Sequence, residues 1–452
     1  MDFLDPKKQK AHSRRIAIGY ALIGLTLLLS TVILLYKAYG FDVDRKGRVI
    51  QNGLVFVSSQ PTGADVYLNG QRKDQTNARM VLPAGAYTVE LKKSGYRDWK
   101  RAVTVDGGSV GRFDYPFLIP STLTPSVTKQ YNAAPALATQ SLDRRWLLAQ
   151  GTASDQFDLF DLSAAKPTVK TLDVPVAILS ASTTTKGWSA IEWGDDNRHV
   201  ILQRTYDKKG QQDKEYILFD RQDPAQSQNL TELFGFNPSS IEMNSQKYDQ
   251  YYLYDQVAQQ VLTSTLKKPT PQSYLKDVLS FKSYGDIVLY ATTSGAPEGK
   301  ALIRLRQGDK TYTVRQVPAA DTYLLQLSQY SGSLFIAVGA KSESKVYVYK
   351  DPIGVLKGGS QDVLVPVQIL KTANPNYVSF SANSRFVMSE NGDSFAVYDA
   401  ETDKAYAYKM KIPIDAPQMH ATWMDGFRIQ AVSGGKLAVF EFDGANLQSL
   451  MP

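Results

Sequence analysis

Five times along this chain an apolar run ends in an aromatic residue followed by aspartate: FDLFD (157–161), YILFD (216–220), YYLYD (251–255), FAVYD (395–399) and FEFD (440–443). A sixth copy, VYVYKD (346–351), carries Lys350 before the acid, and ALIRLRQG (301–308) holds a further place without the motif. From Asp161 to Asp443 the chain advances 282 residues in six steps, or 47 per step. A second element precedes several copies, a polar Asp/Asn turn leading into an apolar strand: LDRRWLLAQ (142–150), EWGDDNRHVILQ (192–203), FKSYGDIVLYA (281–291), FSANSRFVMSE (380–390) and TWMDGFRIQAV (422–432). A repeat of this length built from short strands cannot bury both faces of its own small sheet, so copies must stack, and radial stacking gives a β-propeller. At 47 residues per copy, residues 131–452 predict about seven blades. The aromatic residue would pack between blades and the aspartate would open the next turn. Residues 121–135 are candidates to complete the last blade beside 437–450. A pair of β-sandwiches is the competing architecture, since evenly spaced short strands mark those as well.

The N-terminus is a different material. Ile16 to Tyr36, IAIGYALIGLTLLLSTVILLY, is 21 residues without a charge, long enough as a helix for a hydrocarbon core of ~30 Å. We read 16–39 as an uncleaved signal anchor. Residues 1–15, with Arg14 and Arg15 at the boundary, form a basic cytoplasmic tail, and Lys37 flanks the far side. A cleaved signal peptide, with Ala38-Tyr39-Gly40 as its site, fits less well because the apolar core is too long. A buried soluble helix would carry a polar face, which this run lacks. The net charge of +7 is unevenly placed: residues 1–120 carry +8 and residues 121–452 carry −1. A nucleic-acid binder concentrates Lys and Arg on its folded domain, so that partner is not expected. The charge points instead to a membrane-proximal end. With no cysteine and three histidines (His12, His199, His420), disulfide frameworks, thiol nucleophiles and Cys-ligated metals are excluded, and a His-rich metal centre has little material.

Between anchor and repeats, residues 41–115 read as a small antiparallel β domain, followed by a Pro-rich linker at 116–130. GLVFVSS (53–59) alternates at period 2, Asn69-Gly70 marks a hairpin, and Tyr87, Val89 and Leu91 share a face. Pro61-Thr62-Gly63-Ala64, then Val66 to Gly70, then Leu82-Pro83-Ala84-Gly85-Ala86-Tyr87, then Lys93-Ser94-Gly95-Tyr96, resemble the PEGA domain family, with Thr62 where the family name has Glu. That resemblance implies a β-sandwich-like envelope module without enzyme activity. Its marked residues (Pro61, Gly63, Ala64, Asn69, Gly70, Pro83, Gly85, Tyr87, Gly95, Tyr96) read as turn and scaffold chemistry. The segments FSANSRF (380–386) and WMDGFR (423–428) resemble the repeats of TolB-like and WD40-like propellers.

Chemistry is sparse. The chain has no Gly-x-Ser-x-Gly elbow, His-Glu-x-x-His motif or phosphate loop. No α/β-hydrolase-like segment accompanies the propeller, which excludes a prolyl-peptidase architecture. His199 and His420 read as satisfied structural histidines. Asp42 to Gly47 lacks the bidentate glutamate of a calcium loop, and Asp195-Asp196-Asn197 reads as a turn before a weak calcium site. Asn229-Leu230-Thr231 is a glycosylation sequon by pattern. Tyr248, Tyr251, Tyr252 and Tyr254 suit either glycan contact or inter-blade packing.

No catalytic, cofactor-binding or metal residue is therefore expected. The expected function is a membrane-anchored, extracytoplasmic binding or scaffold protein of the cell envelope, presenting its propeller to a protein or polysaccharide. One alternative is an envelope enzyme, a glycan hydrolase or lyase with acidic residues in the propeller funnel. Another is a cytoplasm-facing sensor. Convergent carboxylates in the funnel would favour the enzyme, and aromatics with small polar groups would favour binding.

Overall fold

A computed structural model of the chain describes residues 6–43, 47–180, 184–358, 364–411, 414–415 and 420–450. It divides into two units, residues 1–124 and 125–451. In the first, helix α1 runs Pro6–Ala38, beginning ten residues before the apolar run. Lys, Gln, Arg and Ala are good helix formers, so the basic tail continues the helix rather than ending it. Gln9–Ala38 is long and apolar enough to cross a membrane. Arg14 and Arg15 are exposed on it, and Lys37 Nζ bonds Asp42 Oδ1 at 2.7 Å just past its end.

Eight strands follow: β1 Phe41–Val43, β2 Val49–Val57, β3 Asp65–Leu68, β4 Gln71–Gln75, β5 Ala78–Pro83, β6 Gly85–Lys92, β7 Trp99–Val105 and β8 Val110–Phe113. They form two sheets, one of β1, β2, β5 and β8 and the other ordered β4-β3-β6-β7. Alternation does the sorting: Val55 and Val57 of β2, Val89 and Leu91 of β6, and Trp99 and Val105 of β7 share one core between the sheets. The turn residues sit where their conformations are needed. Asn69 and Gly70 both have positive φ (49° and 81°), and Asn69 Oδ1 also accepts the Thr88 N–H at 2.8 Å. Pro83 ends β5 and Gly85 opens β6, yet these two strands lie in different sheets. The Pro-Ala-Gly turn is thus a crossover between layers, with the Tyr87 hydroxyl donating back to Pro83 O at 2.9 Å. Gly63 and Gly95 have φ of 74° and 80°, and Ala64 is fully buried. Tyr96 bridges to Pro120. One pairing departs from the antiparallel expectation: β8 runs parallel to β2. The chain reaches β8 from β7 in the other sheet, so no hairpin forces it to reverse.

The second unit is a β-propeller. Among the described residues it has seven four-stranded antiparallel sheets, each built from four consecutive strands, spanning 138–173, 185–229, 240–275, 280–318, 323–370, 377–409 and 422–449. The first strands of blades 2 and 3, of 4 and 5, and of 5 and 6 lie side by side, so the first strand of each blade is the inner one. Hydrophobic clusters fill the spaces between neighbouring blades, as where Phe157 and Leu159 of blade 1 meet Trp188 and Val200 of blade 2.

The aromatic–Asp motif falls on the third strand in blades 1, 2, 5, 6 and 7. In blade 3, YYLYD lies on the second strand, Gln250–Asp255. That one-strand slip explains the short step leading to it (35 residues from Asp220 to Asp255, against 59 from Asp161 to Asp220). The aromatic residues Phe160, Phe219, Tyr254, Tyr349, Tyr398 and Phe442 are buried. Asp161, Asp220, Asp255, Asp399 and Asp443 each accept a backbone N–H two residues on, opening the next turn.

The acids have a second duty that spacing did not reveal. Arg145, Arg198 and Arg385, each at the start of a second strand, fork onto Asp161, Asp220 and Asp399 across the hairpin. Each arginine is delivered by an Asx turn. Asp143, Asp196 and Asn383 accept the arginine's own N–H, with a positive-φ residue (Arg144, Asn197, Ser384) between them. These turns also tie blades together: the Asp143 N–H donates to Asn197 Oδ1 at 2.9 Å and the Asp195 N–H to Gln246 O at 2.8 Å.

Residues 121–135 do not complete the last blade. The outer strand of blade 7 is Gln448–Ser449, paired with its own hairpin neighbour. Lys129 and Tyr131 instead bind Asp158 of blade 1, at 2.6 and 2.8 Å. Asp158 is fully buried, and a buried carboxylate needs such partners.

Candidate functional site

Alternation on an inner strand sends every second residue into the inter-blade core and the others towards the axis. In blade 3, Ile241 and Met243 are buried while Ser240 and Glu242 face away from that core; in blade 4, Phe281 is buried between Ser280 and Lys282. In blade 2 a bulge at Ile191 shifts the register between Ala190 and Glu192. Trp193 then enters the core, where its indole N–H donates to Thr139 Oγ1 at 3.0 Å, and Glu192 joins the axial side. These inner strands, with Leu327 and Ser328 of blade 5, wall a cavity of about 960 Å³ that contains Glu192, Glu242 and Lys282 together with several serine hydroxyls and Tyr284.

Its charges are organised. Lys282 Nζ pairs with Glu242 Oε1, and the Ser283 hydroxyl donates to Glu242 Oε2 at 3.3 Å. Glu192 Oε2 accepts the Met243 N–H at 2.7 Å. Burial pushes the Glu192 carboxyl up to about 7; the Met243 N–H and Lys282 oppose that shift and the neighbouring Glu242 adds to it. Burial works against the Lys282 ammonium, but Glu242, Glu192 and Tyr377 outweigh it and leave the lysine raised. Around the same axis, the Tyr377 ring stacks on His420 with centroids 4.4 Å apart. His420 Nδ1 meets the buried Glu390 Oε1 at 2.9 Å, and burial pushes the Glu390 carboxyl up against the opposing pull of His420.

The cavity can hold a polar ligand, offering hydroxyls, a lysine and a carboxyl that exchanges its proton near neutral pH. It holds two carboxyl groups, but Glu242 is committed to Lys282, so they are not two free acids. Among the described residues no cluster of three His, Asp or Glu could hold a metal ion.

Of these residues only His420 is named by sequence reasoning, as a structural histidine; Glu192 and Lys282 lie in repeat segments without being singled out. The readable signal was positional: Glu192 and Lys282 lie on the first strand of a blade, shortly before the Asx or glycine turn into the second. His199 is a satisfied structural residue, with Nδ1 at 2.5 Å from Asp196 Oδ2 and its ring stacked on Tyr248. Asp195-Asp196-Asn197 is a turn, its Asp196 capping the N–H groups of Arg198 and His199. Of the loop at Asp42–Gly47, Asp42 is bridged to Lys37, and residues 44–46 lie outside the described residues. Tyr251, Tyr252 and Tyr254 are buried, and only Tyr248 is exposed. The sequon asparagine is buried too. Asn229 caps the helix Leu230–Phe234, and its amide donates to Ile178 O and Glu215 Oε2 at 2.9 and 2.7 Å. No nitrogen is left to receive a glycan.

Residues 52–118 match the PEGA domain family. No curated protein matches the chain. Among solved structures, the β-propeller domain of Cps50 (Swd1) from Myceliophteria thermophila is 14% identical with a TM-score of 0.40, covering 72% of this chain and 99% of that one. Hsv2 of Kluyvelomyces marxianus is 9% identical with a TM-score of 0.42, covering 71% and 98%. A prolyl endopeptidase is 11% identical with a TM-score of 0.39, covering 84% of this chain and 55% of that one. At these values the likenesses say nothing of ligand or activity.

Proposed function

We propose that this chain is a single-pass, membrane-anchored binding protein of the cell envelope, with its N-terminus in the cytoplasm and its PEGA domain and propeller outside. The axial cavity of the propeller would receive a protein or polysaccharide partner. The observation that carries the reading is the walled polar cavity itself. Inner strands of four blades converge on it, and its charged groups are mostly paired with one another, as in a surface built to recognise rather than to react. The length and apolar character of Gln9–Ala38 and the uneven basic charge support the anchor.

The test uses the full chain in lipid nanodiscs as bait for envelope extracts and purified wall polymers, beside Lys282→Met and Glu242→Gln. Specific retention of one partner, lost in both variants while the thermal midpoint holds, supports the reading. Equal retention by all three removes the cavity from it. Labelling of single cysteines placed in the propeller of a cysteine-free chain, on intact cells, reads the topology; full protection with labelling after lysis would turn the protein into the cytoplasm-facing sensor.

A second reading has one observation in its favour. Glu192, whose carboxyl burial raises to about 7, has the character of a general acid. Turnover of a wall glycan by the wild type, abolished in Glu192→Gln, would make the protein an envelope enzyme.

A further inference from the structure

The outer face of the sheet nearest α1 is uncovered. On β2, Val55 and Val57 point into the core, so Asn52, Leu54 and Phe56 point out. Register places Val81 of β5 and Val110 of β8 on either side of Leu54, and Arg79 and Arg112 on either side of Phe56. The face therefore carries an apolar row, Val81–Leu54–Val110, and beside it a basic-aromatic row, Arg79–Phe56–Arg112. Val81 and Val110 are 63% and 57% exposed, which is unusual for valines on the broad face of a sheet. Arg112 lies over the Phe56 ring at 4.8 Å from its centroid. Two acids lie at the margins: Asp42, bridged to Lys37 at 2.7 Å, and Asp114, just past the end of β8.

Position limits what can cover this face. Gly40 O accepts the Asn52 N–H at 2.7 Å, so β2 is fastened beside the end of the helix. Gly40 follows the last residue of the apolar run by four positions, about 6 Å at helical rise. Strand β2 runs antiparallel to β1 and so returns past the end of the helix; at ~3.3 Å per residue the Leu54 row lies within about 7 Å of Gly40 and the Phe56 row within about 13 Å, whatever the strand's tilt. The headgroup layer on each side of a bilayer is roughly 5–8 Å deep. Both rows thus lie within short reach of the interface that α1 would enter, and they pair what an interface offers: apolar side chains for the acyl boundary and, in the adjacent row, guanidinium groups for phosphate.

We infer that this sheet face docks on the membrane surface, Val81, Leu54 and Val110 entering the headgroup layer and Arg79 and Arg112 binding anionic lipid phosphates. The inference rests on the anchored reading of α1. Docking would hold the β-sandwich against the bilayer instead of leaving it to swing about Tyr39 and Gly40. Each arginine near an anionic surface contributes about fivefold to the docked population, so losing both lowers it by roughly 25-fold.

The test exploits the absence of cysteine. Full-length Val81→Cys and Val110→Cys are spin-labelled and reconstituted in vesicles of phosphatidylcholine alone or with a third phosphatidylglycerol, beside Lys73→Cys on the other sheet. Docking predicts that the labels at 81 and 110 collide with lipid-dissolved oxygen and are shielded from an aqueous relaxant in the anionic vesicles. Lys73→Cys should stay aqueous, and Arg79→Gln/Arg112→Gln should return the first two labels to water. Changing the lipid perturbs the interaction without touching the fold. Labels at 81 and 110 as aqueous as the one at 73 in both vesicle types overturn docking, and so do labels shielded from both relaxants, which would show a protein covering the face. Protein stripped from the vesicles by alkaline wash would instead bring down the anchored reading, and docking with it, so the two failures are distinct.

Discussion

Three blades hold the same arginine–aspartate fork in environments of rising burial, which turns the motif into an internal experiment. The side-chain exposures are 49% and 21% for Arg145–Asp161, and 21% and 1% for Arg385–Asp399. Arg385→Met keeps an apolar stem and removes the charge, leaving the buried Asp399 carboxylate with only the Thr402 hydroxyl and the Glu401 N–H. Breaking a buried pair from one side costs about 3–5 kcal/mol. The propeller unit covers residues 125–451. At about 2.1 cal/mol/K per residue its unfolding entropy is roughly 0.7 kcal/mol/K, so the midpoint should fall by about 4–7 °C. The assay is differential scanning calorimetry of the detergent-solubilised full chain, with Arg145→Met and the double variant Arg385→Met/Asp399→Asn alongside. Arg145→Met should give no resolvable shift, because water already screens that pair. The double variant should recover part of the loss, since the uncompensated charge is gone. Equal shifts at 145 and 385 would refute the claim that burial sets the worth of the fork.

Three further outcomes follow from the same geometry. Glu192 has its carboxyl raised to about 7 in the folded state, so it binds its proton more tightly folded than unfolded. Its contribution is fully present below the unfolded value near 4.3 and is lost as pH rises through 7, so Glu192→Gln should flatten the stability profile between pH 5 and 8. Asn229→Ala removes a helix cap and strips the buried Glu215 of one donor, so it should destabilise by about 2–4 kcal/mol in urea unfolding. The wild type should gain no mass at Asn229 in a glycosylating host. Gly53→Ala would place a Cβ 2.6 Å from Val105 Cγ1 and 2.7 Å from Asp106 O. Trp99 fluorescence should report early melting of the β-sandwich while the calorimetric transition of the propeller stays in place.

Much of the architecture was legible because it is periodic. The aromatic–Asp copies counted the blades, and the Asp/Asn turns placed the second strands, since local turn chemistry needs no distant partner. The repeat misled where periodicity alone was trusted. YYLYD reads like its siblings yet sits one strand earlier, because Tyr254 fills the inter-blade space from the second strand as well as others do from the third. The turn at Pro83–Gly85 was legible as a turn but not as a crossover, because which sheet receives β6 depends on pairing with β3 and β7, not on the turn. The axial cavity was not legible. Glu192, Glu242 and Lys282 are 50 and 40 residues apart along the chain, and only closure of the inner strands brings them together.

By itself the sequence determined the apolar N-terminal helix, the small β domain with its turns, and the repeat that becomes seven blades, because each depends on local pattern, hydrophobic period and turn residues. The tertiary structure alone decided which charges meet. It buried the sequon asparagine, turned the repeated aspartates into anchors for arginine, bent the chain at Ile191 so that Glu192 faces the axis, and left a row with two valines and a row with two arginines open on the sheet that holds β2. Burial and long-range pairing set those outcomes, and neither is a property of any short stretch of chain.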